Sequence, residues 1–188
     1  MKTKIGLLAL LMLLYLALSP SLFLLAVLLS AFLHELGHIS AARLLKIELK
    51  ELSIGIFGAG LTPSSSFFSY KKEILLCAAG PFVNLVCFLA LVPFKNPFLS
   101  YISISSLFLG VLNLLPISSF DGGRILFSLL SRYLTPKTVL NITNSLSFLF
   151  IFSLWCFSLY LLIRVAISLS LFIFSCSLFL KIFLPESD

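Results

Sequence analysis

The chain has 188 residues, of which 60% are hydrophobic and 11% charged, and its mean hydropathy is +1.17. A soluble core of this size cannot absorb so much apolar surface, which excludes a soluble globular domain and makes the lipid bilayer the first expected partner. The net charge of +6 does not point to nucleic acid, because the basic residues stand at the edges of apolar segments and form no stripe with interleaved aromatics.

Apolar runs near the length that crosses the hydrocarbon region predict spans at roughly 5–19, 21–43, 73–93, 98–117, 139–162 and 165–183. The expected fold is an all-α polytopic membrane protein of about six transmembrane helices, a single domain over residues 1–188. The first run follows Lys2 and Lys4 and lacks a small-residue cleavage site, so it reads as retained and not as a signal peptide. Pro20 marks its end, and the run is short enough to be a half-length or distorted helix.

The second run ends in His34-Glu35-Leu36-Gly37-His38, the H-E-x-x-H pattern, in the only two histidines of the chain. Histidines at i and i+4 share a helix face and can grip one metal ion. Glu35, about 100° around the helix from His34, can take a proton from a metal-activated water without being a ligand. The bland alternative is a pair of interfacial histidines snorkelling at a helix end, with Glu35 paired to Arg43 or a lysine. It leaves unexplained Asp121, the other acid placed at membrane depth, where ionisable groups are costly and functional candidates by default.

Residues 53–61 are too short to cross, and their glycines, Gly58 and Gly60 among them, suit a tight hairpin between the second and third spans. An ordinary surface loop is the alternative. In the third span Gly80-Pro81 reads as a packing notch and kink, with Asn84 as a polar supporting residue. Asn113-Leu114-Leu115-Pro116 interrupts the fourth run, and Asp121-Gly122-Gly123-Arg124 follows as it ends. A catalytic zinc needs three protein ligands and an open position, and with no third histidine or suitably placed cysteine, Asp121 is the natural candidate. Pro116 removes a helical hydrogen bond, and Gly122 and Gly123 allow backbone shapes closed to other residues, so an unwound segment can aim the carboxylate. By itself Asp121 would also serve as the N-cap of a helix from Gly122 to Tyr133.

Cys77, Cys87, Cys156 and Cys176 lie in apolar runs without C-x-x-C spacing and read as packing residues, and the serines of the last two spans as helix-packing groups. Under the six-span arrangement eleven Lys and Arg fall on one side, against Lys95 and Arg164 on the other. The positive-inside rule then puts both termini and the active-site opening in the cytoplasm.

The chain resembles the site-2 protease family of intramembrane zinc metalloproteases, in particular the branch containing stage IV sporulation protein FB. The resemblance rests on His34-Glu35-Leu36-Gly37-His38, then Ala79-Gly80-Pro81-Phe82-Val83-Asn84, then Asn113 through Gly123, in that order. It implies one zinc per chain held by His34, His38 and Asp121, with Glu35 activating water against a peptide bond in or near a membrane protein's transmembrane segment, in a bacterial cell membrane. Asn113 would orient substrate or polarise its carbonyl, or else tie down the unwound chain. The segment with Gly58 and Gly60 would be a membrane-dipping β-loop whose edge pairs with an unwound substrate strand. Many members carry a PDZ or CBS module, and neither is expected here; Ser119 stands where the sporulation-type pattern often has proline. The competing readings are a membrane metal-binding or transport protein using the same ligands, and a catalytically inert relative acting as a scaffold.

Overall fold

The structure, a computed structural model, describes residues 2–5, 21–47, 49–55, 58–63, 69–165 and 169–183. Their elements are β1 (Lys2–Ile5), α1 (Leu22–Leu44), β2 (Leu49–Gly55), β3 (Gly58–Pro63), α2 (Tyr70–Leu91), α3 (Pro97–Asn113), α4 (Asp121–Leu130), α5 (Pro136–Val165) and α6 (Leu169–Phe183). They belong to two compact units, residues 1–114 and 115–188.

In the first unit α1 begins at Ser21, whose hydroxyl accepts from the Leu24 N–H at 3.4 Å. It buries Ala26, Ser30, His34, Gly37, His38 and Ala42, a single stripe at spacings of three and four, while Leu22, Phe23 and Phe32 face outward. Small and polar inside with bulky outside is the pattern lipid favours, since lipid solvates Leu and Phe as well as a protein core does. Helices must then associate by close approach and hydrogen bonds. Close approach occurs at Gly37, where an added Cβ would lie 2.7 Å from the Ala79 carbonyl oxygen of α2. Hydrogen bonds come from serines: Ser30 donates to Ala26 O at 2.8 Å and lies 3.2 Å from Ile102 O of α3, and Ser106 of α3 donates to Ser30 at 3.1 Å. Helix α3 starts with Pro97 after Asn96, whose side-chain oxygen accepts from the N–H groups of Phe98 and Leu99.

The strands of this unit form one sheet in the order β1-β2-β3. β2 and β3 are antiparallel, with Gly55 opposite Gly58 and Ser53 opposite Gly60, and residues 56–57 between them lie outside the described residues. β1 runs parallel to β2, from Lys2 opposite Glu51 to Ile5 opposite Ile54.

In the second unit the chain turns through Leu115–Phe120 into α4, and α5 and α6 pack through a Ser158–Ser175 hydroxyl contact of 3.0 Å. Phe148, Trp155, Phe172 and Phe179 cluster beside that contact, with Trp155 6.4 Å from Phe172 and from Phe179.

Beyond the expected helices and hairpin the structure adds β1, a strand that the sequence does not announce, because four residues are too few to show alternation and its partner is remote in the chain. Of the six spans expected, three helices among the described residues, α1, α2 and α5, are long and apolar enough to cross a membrane, and α3 is a shorter apolar helix. α3 stops at Asn113 and not at residue 117, ahead of Pro116. Of the run at 5–19, all but Ile5 lies outside the described residues.

Candidate metal centre

Helix α1 sets His34 and His38 one turn apart, 4% and 6% exposed, which excludes rings that reach toward an interface. Their rings stand near-perpendicular, at 80°, with the two Nε2 atoms 3.1 Å apart. A tetrahedral zinc with Zn–N bonds of about 2.0–2.1 Å holds two nitrogens about 3.3–3.4 Å apart, so the observed separation is close to that of a ligand pair. Glu35 follows on the same helix and is half-buried.

Helix α2 supplies the surroundings at four-residue intervals. His38 Nδ1 lies 2.8 Å from the Leu76 carbonyl oxygen, which can only accept, so the ring proton sits on Nδ1 and Nε2 presents a lone pair. Asn84, fully buried, places Nδ2 3.0 Å from His34 Nδ1. Between them Gly80 leaves open the space in front of both rings: a Cβ there would strike His38 Nε2 and stand 2.7 Å from His34 Nε2. A cradle that one methyl group would fill, faced by two imidazole nitrogens, fits a zinc ion.

The remaining residues are built differently. Asp121, buried, is the first helical residue of α4, where a carboxylate is favoured by the helix dipole; the N-cap is Phe120, so Asp121 is not the cap that its spacing allows. The helix ends at Leu130, short of Tyr133. Gly122 and Gly123 are buried with it, and a Cβ on Gly123 would collide with the Ile117 carbonyl and lie 2.8 Å from Ser118 Cα, so the approach loop folds directly onto the start of α4. That loop is pinned from α5, where the Ser147 hydroxyl accepts from the Ser118 N–H at 2.8 Å and lies 3.5 Å from the Pro116 carbonyl oxygen. Asn113, the last residue of α3, donates from Nδ2 to its own helix at Leu109 O, 3.0 Å. Gly58 and Gly60 sit on β3.

The structure thus brings together His34, His38, Gly80 and Asn84. Gly80 is more than the packing notch that its sequence suggests, since it clears the space before the imidazoles. The Leu76 carbonyl and Ser147 carry no sequence signal of their own; only the spacing of residues 76, 80 and 84 on α2 hints that one face meets the histidines.

Comparison with known proteins agrees. The chain matches the family Peptidase M50B-like over residues 7–120 and Peptidase family M50 over residues 92–154. A zinc metalloprotease of Methanocaldococcus jannaschii is 30% identical over 159 residues, which cover 77% of this chain and 45% of that protein, so the chain spans about half the length of this relative. The solved structure of a site-2 protease from Methanocaldococcus jannaschii superposes with a TM-score of 0.72 at 20% identity, covering 99% of this chain and 91% of the other, and shares its fold.

Proposed function

Because the chain belongs to the M50 peptidases, the site-2 protease family, and is an integral membrane protein, we propose that it is an intramembrane zinc endopeptidase that cuts membrane proteins in or near a transmembrane segment. The observation that carries the reading is the pair of buried Nε2 atoms 3.1 Å apart over the space that Gly80 leaves open. His34 and His38 would hold one zinc, with Asp121, a buried carboxylate, as third ligand. The metal, when bound, would lower the pKa of water and polarise the scissile carbonyl. Glu35 accepts a proton from the attacking water, whose oxygen bonds to the carbonyl carbon, and returns a proton to the leaving nitrogen as the C–N bond breaks.

The finer assignments belong to the same proposal: residues 1–188 as one catalytic domain in the branch with stage IV sporulation protein FB, about six spans, and both termini in the cytoplasm. Asn113 Nδ2 gives one of its two N–H groups to Leu109 O of its own helix, which favours a role in tying down the helix end. β3, carrying Gly58 and Gly60, is an edge strand of the sheet and suits pairing with an extended substrate segment.

The test is Glu35→Gln in cells followed by comparison of membrane proteomes. The variant should retain stoichiometric zinc and accumulate an uncleaved single-span protein that the wild type processes. Undiminished proteolysis would exclude Glu35 as the base, and a wild type that purifies without zinc and takes none up would favour the scaffold reading.

A further inference from the structure

The bond between Asn84 and His34 has the wrong polarity for a metal ligand. With Nδ2 facing it, His34 Nδ1 must accept, which leaves the ring proton on Nε2, the atom a metal needs bare. Asn84 Oδ1, on the other end of the same amide, is buried and has no hydrogen-bond partner among the described residues. Nothing on that oxygen therefore holds the amide in its present orientation, and a half-turn about the last side-chain bond would exchange oxygen for nitrogen at His34 without moving the backbone. His38 needs no such adjustment, because the Leu76 carbonyl already demands a proton on Nδ1.

We infer that Asn84 is the positioning residue for His34: on metal binding its amide turns Oδ1 toward the ring, accepts the Nδ1–H and fixes the tautomer whose Nε2 is bare. The ring proton that leaves Nε2 is replaced by one on Nδ1, so the imidazole stays neutral and no net proton is released by this exchange. Gly110 on α3 gives the side chain its place, since a Cβ there would stand 3.2 Å from Asn84 Cβ. The inference rests on the metal role of His34 proposed above and adds to it the means by which a neutral amide serves both the metal-free and the metal-bound ring.

The experiment measures zinc affinity of the full chain in detergent micelles by chelator competition, for wild type, Asn84→Leu and Asn84→Asp. Removing the acceptor in Asn84→Leu should weaken zinc by about 10- to 100-fold, as loss of such partners does elsewhere. Asn84→Asp, which restores an acceptor but offers no amide donor, should bind at least as tightly as wild type. Nitrogen-15 spectra of histidine-labelled wild type should show the His34 proton on Nε2 without metal and on Nδ1 with zinc, a readout that needs no substitution and that a purely structural role would not move. Unchanged affinity in Asn84→Leu, equal losses in both variants, or a proton on His34 Nε2 in the zinc form would each overturn the inference. A wild type that binds no zinc would overturn the function reading as well, whereas zinc in the wild type with an unaffected Asn84→Leu would overturn this inference alone.

Discussion

At Gly80 the chemistry of the site depends on an atom that is missing. Its Cα faces both histidine Nε2 atoms, and a methyl group would occupy the space that zinc would fill. Gly80→Ala should therefore lower zinc affinity by at least about 100-fold, more than loss of an outer hydrogen-bond partner does, while circular dichroism stays helical. Full zinc content in Gly80→Ala would show that the ion sits elsewhere. The identity of the histidine pair was legible from spacing alone, because helix periodicity puts i and i+4 on one face wherever the helix lies. The Leu76 carbonyl was not, since every residue has one and only the packing of α2 on α1 selects it. Asn84 was visible as a polar residue in an apolar run, but its partner was not.

Among the elements, helix pairs that cannot rely on water to drive them together depend on small residues and hydroxyls. Gly37→Ala would press a methyl group against the Val83 side chain and the Ala79 backbone, and the backbone cannot yield without moving α2. We expect it to destabilise the protein by about 1–3 kcal/mol in a denaturant titration in micelles, by the usual cost of overpacking. Ser147→Ala should cost about 1–2 kcal/mol, because the Ser118 N–H loses its acceptor on the segment that leads to Asp121. An unchanged midpoint in that variant would mean that the loop is held by other contacts. The helical runs were legible where hydropathy and caps coincide: α1 begins after the Ser21 cap and α3 after Asn96-Pro97. The end of α3 was not, because apolar side chains continue past Asn113, where the backbone turns, and hydropathy reports side chains rather than hydrogen bonds.

For the whole molecule, the proposed six-span arrangement sets eleven basic residues against Lys95 and Arg164 and would place the eleven in the cytoplasm; Lys71 stands in the first turn of α2 and Lys95 just beyond its end. Both lysines are exposed. Cysteines introduced there in a background lacking the native four should be modified by impermeant reagents from opposite sides, Lys71→Cys only after the cytoplasmic face is opened. Modification of both from one side would overturn the topology. The sheet adds a constraint of another kind. By pairing residues 2–5 with residues 51–54, β1 closes a loop that contains all of α1 and both histidines. During synthesis β1 must wait for its partner until that helix has been made, and four paired residues then act as a clasp on the segment that carries the proposed metal donors. Joining distant parts of a chain costs entropy that grows only slowly with the length enclosed, so a very short strand can secure a long excursion, and the same brevity makes the clasp easy to open.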